Sequence, residues 1–335
     1  MRNPRIGRSA VVLLAIAVLS VPAFSDDKNK DVNEIGKRDV GKGINFYSIE
    51  KEIALGKQLA EEVMRQARMF QDPLIGEYVN RICQSLVRNS DAKVPVTCSI
   101  IDADDLNAFA LPGGFIFVHT GLLKAAETEA ELAGALAHEI AHVAARHMTK
   151  QATRGQIAQI LTLPASILIG GWTGYAIRQG LGLGIPMTFL KMDRGFESEA
   201  DYYGLQYMYK AGYDPEASVD LFERMLSLEK RKPGTINKVF ATHPQNGDRL
   251  RKTQEEIATI LPPKAEYVVN TSEYMEMRAR LFALQSHRKS QETDPHKPTL
   301  RRTPGGGIIP ANDDEADKSG KQDDSPTLKR REWVE

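Results

Sequence analysis

The stretch from Thr128 to His147, TEAELAGALAHEIAHVAARH, constrains the fold more than any other part of this chain. Thr128, with Glu131 three residues on, reads as a capping box in which each side chain satisfies an orphan amide at a helix start. Leu132, Ala135, Leu136, Ile140 and Val143 follow at the spacing of a helix that buries one face. No Gly or Pro interrupts Ala135 to Gln151, so a single helix is expected to carry His138, Glu139, His142 and His147. At about 100° per residue, His138 and His142 lie about 40° apart and can bind one ion together. Glu139 sits one step round, within reach of a water at that ion. His147 lies five residues past His142, about 140° away, and is expected to be a solvated or helix-capping histidine.

HEIAH thus fits the H-E-x-x-H zinc pattern of two imidazole ligands and a carboxylate base. Such a match arises by chance in roughly one chain in a hundred, so the rest of the chain must supply a third ligand. A metzincin would need glycine at position 145 and histidine at 148, where this chain has Ala145 and Met148. The stretch ESEAD, 197–201, offers Glu197 and Asp201 four residues apart on one helix face, while Glu199 is about 200° from Glu197 and should point away. One of the facing carboxylates can ligate the metal and the other can accept the free N–H of a ligating histidine.

HEIAH (138–142), Glu-x-x-Ala-Asp (197–201) and THPQNGDR (242–249) occur in that order. With them the region 46–260 resembles the gluzincin metallopeptidases of the CAAX-prenyl-protease and heat-shock-protease type, in their soluble periplasmic branch. The resemblance implies an α+β fold, a mainly helical zincin-like domain whose small sheet has an edge strand beside the active-site cleft. It implies one zinc ion per chain on His138, His142 and Glu197, with Glu139 as base and Asp201 bonded to a ligating imidazole. It also implies that His243 and Arg249 face the site, where either can stabilise an oxyanion. In such proteases the His-Pro histidine can occupy the open zinc position at rest. Implied substrates are unfolded or mis-assembled envelope polypeptides, with the outer-membrane assembly machinery as a further partner. Larger periplasmic relatives carry tetratricopeptide repeats after the catalytic domain; here a charged tail stands in that place.

The flanking segments give four expected regions. Residues 1–25 have Arg2, Arg5 and Arg8 before the apolar run 10–21 and read as a signal peptide for export to the periplasm, cleaved after Ser25; an uncleaved anchor is the alternative. Residues 26–45 are polar and read as a flexible lead-in, 46–285 as the metallopeptidase domain, and 286–335 as a disordered charged tail. The charge-free stretch 155–177 contains Pro164 and a Gly170-Gly171 pair, and reads as an apolar cover over the site rather than a membrane span. Lys+Arg and Asp+Glu each number 44, so no charge excess points to nucleic acid as a partner. Cys83 and Cys98 allow either a disulfide or two buried thiols. The segment 108–117 is expected as an exposed edge strand to which an extended substrate could add. A chaperone-like assembly factor would use the same edge. A purely structural zinc module would want four protein ligands.

Overall fold

The computed structural model describes residues 31–162, 192–231, 243, 247–292, 300–302 and 308–310. The expected cover at 155–177 lies outside them beyond Thr162, as does most of the loop around the His-Pro motif.

Helix α1 (Ile49–Gln66) starts at Ser48, whose hydroxyl accepts from the Lys51 amide. Helix α2 (Pro73–Arg88) starts at Asp72, with Pro73 in the first turn where a missing N–H costs nothing. Strands β1 (Thr97–Ile101), β2 (Ala108–Leu111) and β3 (Phe115–His119) form a mixed sheet of order β1-β3-β2. β3 is central, parallel to β1 in the register Thr97 to Phe115 and antiparallel to β2 in the register Ala108 to Val118. The turn joining β2 to β3 has Gly113 and Gly114 at φ 73° and 94°, which side-chain-bearing residues rarely adopt. The expected edge is therefore confined to Ala108–Leu111, and its side chains are buried; Phe115–Phe117 belongs to the central strand.

Helices α3 (Thr120–Ala125) and α4 (Glu129–Ala144) follow. Thr128 caps α4 by accepting from the Glu131 amide, and Glu131 accepts in return from the Glu127 amide. The expected uninterrupted helix does not form. It ends at Ala144, Arg146 takes φ 58°, and α5 (His147–Thr162) begins in a new direction. A left-handed residue bearing a Cβ costs about 1–2 kcal/mol. The Arg146 guanidinium offsets this by donating to buried Glu52 at 2.6 Å and to the Tyr47 carbonyl at 2.7 Å.

Helix α6 (Arg194–Ala211) packs along α4 and ends at Gly212, whose φ of 93° forms the expected left-handed cap. The two helices come close because Gly204 faces the backbone of His138; a Cβ there would lie 3.2 Å from the His138 nitrogen. Helices α7 (Glu216–Arg231), α8 (Gly247–Ile260) and α9 (Ser272–Glu292) complete the helical layer. The core is formed by α2, the sheet, α4 and α6, with Leu86, Ile116, Val118, Leu132, Leu136 and Ile140 all inaccessible or nearly so. Cys83 and Cys98 form a disulfide that ties α2 to β1.

Part of the stretch read as a flexible lead-in is packed. Ile35 and Val40 are buried, and Arg38 is buried against Asp91 at 2.5 Å and Gln206 at 2.6 Å. A second compact unit, Gln285–Glu335, includes a short antiparallel ladder pairing Leu300–Arg302 with Ile308–Pro310. Among the described residues no helix is long and apolar enough to cross a membrane.

Candidate metal centre

Helix α4 presents His138 and His142 one turn apart on the side that faces α6, with their Nε2 atoms 3.1 Å from each other. Helix α6 presents Glu197 opposite them; its two carboxylate oxygens lie 3.5 Å from His138 Nε2 and 3.5 Å from His142 Nε2. His243 enters from outside both helices and places Nδ1 2.8 Å from Glu197 Oε1 and 3.4 Å from His138 Nε2. All four side chains are buried, and one donor atom from each lies within 4.8 Å of the others. A tetrahedral zinc with ligands at about 2.0–2.2 Å holds its donors roughly 3.3–3.6 Å apart. The pairs His138–Glu197, His142–Glu197 and His138–His243 match that spacing, His138–His142 and His243–Glu197 are closer, and three imidazoles with a carboxylate are the donor chemistry zinc takes.

The surroundings support an anionic Glu197 and a neutral His142. Burial and the neighbouring His138 hold His142 well below the usual imidazole range. Burial would raise Glu197, but the charge of His243 and hydrogen bonds from His138 and His243 outweigh it and hold its carboxyl well below the carboxylate range. Burial would likewise lower His138, yet Asp201 and Glu197 push it up to about 10. Such a cluster of carboxylates around an imidazole also describes a site that expects a cation.

Asp201, one turn past Glu197, reaches His138 from behind, with Oδ1 3.0 Å from His138 Nδ1. Arg249, in the first turn of α8, clamps the two acids of α6. Its Nε and Nη2 donate to the two Asp201 oxygens at 2.7 Å, and its Nη1 lies 2.8 Å from Glu197 Oε2. Arg249 therefore neutralises the carboxylate pair. Glu139 points to the open side of the cluster. Its Oε1 lies 3.3 Å from His243 Nε2, and among the described residues its buried Oε2 has no hydrogen-bond partner. Burial raises the Glu139 pKa against the charges of His243 and His138, which suits a carboxylate meant to take up a proton. Beside it opens a pocket with apolar walls of Leu122, Leu221, Phe222 and Met225, bordered by Ala108 of the edge strand.

Two positions differ from their sequence reading. His147 is not solvated: it is buried, with Nδ1 2.9 Å from His142 Nδ1. The left-handed turn at Arg146 swings it back, where a continued helix would have carried it away. Glu199 does leave the face shared by Glu197 and Asp201, but it is engaged, with Oε2 3.2 Å from His147 Nε2. The apolar neighbours Val143, Ala144, Ala145 and Met148 were the available sign that position 147 is buried.

Comparison with known proteins adds the following. The family model described as Peptidase family M48 matches residues 73–257. A putative beta-barrel assembly-enhancing protease of Vibrio cholerae is 29% identical over 280 residues, covering 82% of this chain and 56% of that protein. The beta-barrel assembly-enhancing protease of Escherichia coli is 26% identical over 294 residues, covering 85% and 58%. The mitochondrial metalloendopeptidase OMA1 of Schizosaccharomyces pombe is 32% identical over 223 residues, covering 63% and 62%. The chain thus spans little more than half the length of the first two.

Proposed function

Since the chain belongs to peptidase family M48, we propose that it is a zinc-dependent endopeptidase that hydrolyses peptide bonds in unfolded or mis-assembled proteins of the bacterial envelope. The observation that carries this reading is the buried group of His138, His142, Glu197 and His243 with Glu139 beside it. The names of the relatives, which speak of β-barrel assembly, support the envelope and the outer-membrane assembly machinery as its setting. The arginine-flanked apolar run at 2–21 supports export to the periplasm.

In this reading His138, His142 and Glu197 hold one zinc ion, and His243 takes the remaining position in the resting protein. When bound, the metal supplies the Lewis acidity that polarises a scissile carbonyl and makes water nucleophilic near neutral pH. Glu139 Oε2 takes a proton from the attacking water and delivers it to the leaving amine nitrogen. Asp201 and Arg249 hold His138 and Glu197 in orientation. An extended chain can lie along the edge strand at Ala108–Leu111, bonding through its main chain and placing one apolar side chain among Leu122, Leu221, Phe222 and Met225. His243 stands between that groove and the metal position, so substrate must displace it. A chaperone-like holding role with latent protease activity is the second reading, favoured by that same placement of His243.

The test is zinc content together with cleavage of unfolded casein, wild type against Glu139→Gln. The expected outcome is one equivalent of zinc in both proteins and cleavage by the wild type alone. Equal cleavage by the variant overturns the assignment of the base.

A further inference from the structure

Behind the metal centre, on the side away from the substrate groove, His142, His147 and Glu199 form a chain of contacts that the expected catalytic set does not include. His142 turns Nε2 towards His138 and Glu197 and Nδ1 towards His147. His147 in turn presents Nε2 to Glu199. The contact between the two Nδ1 atoms, at 2.9 Å, requires one of them to donate and the other to accept.

Glu199 decides which. A carboxylate only accepts, so His147 Nε2 must carry the proton facing it. Neutral His147 then has a lone pair on Nδ1, and His142 must donate from its own Nδ1. That leaves the lone pair of His142 on Nε2, the atom that faces the metal position. With the reverse tautomers, His142 Nε2 would carry a proton and could not ligate, and His147 would turn a lone pair on a carboxylate.

The His147 ring is held flat by stacking on Phe196 at 4.5 Å between centroids, and Arg154 lies 4.1 Å over the other partner of that stack.

Resting on the zinc-site reading above, we propose that His147 and Glu199 are positioning residues for the metal: together they set the tautomer and orientation of His142, as Asp201 does directly for His138. Carboxylate partners of ligating histidines are typically worth about 10–100-fold in metal affinity. Here the same effect is carried through an intervening imidazole.

The experiment is zinc affinity, by competition with a chromophoric chelator, for full-length wild type, Glu199→Ala, His147→Phe and His147→Gln. Thermal melts of the zinc-free proteins accompany it, with visible absorption of the cobalt-substituted forms. His147→Phe keeps the stack on Phe196 and removes both nitrogens. His147→Gln restores one acceptor and one donor. The expected result is a loss of about 10–100-fold in zinc affinity for Glu199→Ala and His147→Phe, a shifted cobalt spectrum in both, and affinity near wild type for His147→Gln. Unchanged affinity in Glu199→Ala and His147→Phe overturns the proposal. So does a loss in His147→Gln as large as in His147→Phe, since the site would then need bulk or ring shape and not the bonds. If wild type itself takes up no zinc, the underlying metal reading fails, which is a distinct outcome.

Discussion

The two histidines supplied by α4 are one turn apart and chemically identical, yet they are braced in different ways. His138 meets a carboxylate directly: Asp201 comes from the same helix as Glu197 and is itself gripped by Arg249. On its Nδ1 side His142 reaches a carboxylate through His147, and Glu199 at the far end is partly exposed. The first bracing group is thus also a buried charge cluster that joins α4, α6 and α8. The second joins the end of α4 to α5 and α6 with neutral imidazoles and one surface-facing acid. Stability and metal binding should therefore separate on the His142 side and move together on the His138 side.

The largest effect should come from the ligands themselves. His138→Ala and His142→Ala should each lose stoichiometric zinc, as read by metal analysis after dialysis, with no difference between the two sides. Retention of a full equivalent in either variant would remove that residue from the site.

Next is Asp201→Ala, which leaves Arg249 buried beside Glu197 alone. Breaking a buried charge pair costs about 3–5 kcal/mol, so the zinc-free protein should unfold at clearly lower urea, and zinc affinity should fall as well. A stability within about 1 kcal/mol of wild type, the scale of a single ordinary hydrogen bond, would contradict the role given to this cluster.

Glu199→Ala should be milder in stability, about 1 kcal/mol for one lost hydrogen bond, while still weakening zinc. The contrast with Asp201→Ala is the sharp form of the comparison: equal destabilisation of the two apoproteins would abolish it. Glu199→Gln should have the smallest effect, because its amide oxygen still accepts from His147 Nε2. A loss matching Glu199→Ala would mean that the negative charge, not the acceptor, matters there.

How much of this was legible in the sequence follows from the range of the interactions involved. HEIAH and the shared face of Glu197 and Asp201 depend only on helical periodicity within five residues, and periodicity can be read directly. The caps at Ser48, Asp72, Thr128 and Gly212 are equally local. The break at Arg146 is not. Nothing in AARHM marks a left-handed residue, since Arg is not a glycine or asparagine substitute, and the turn is held by Glu52, 94 positions earlier. Without that break, helical periodicity puts His147 on the side away from His142 and leaves Glu199 no partner to face. Arg38 follows the same rule: in a polar segment it reads as solvated, and its long-range partners Asp91 and Gln206 bury it.

The account rests on a metal ion held by two histidines of α4, Glu197 and, at rest, His243. X-ray absorption at the zinc edge tests this most directly, on wild type and His243→Ala reconstituted with one equivalent of zinc. The account predicts three imidazoles and one carboxylate in the wild type, one imidazole fewer in His243→Ala, and faster casein cleavage by the variant with zinc retained. Identical spectra from the two proteins, with cleavage reduced in the variant, would contradict it and place His243 beside the reacting groups, not on the metal.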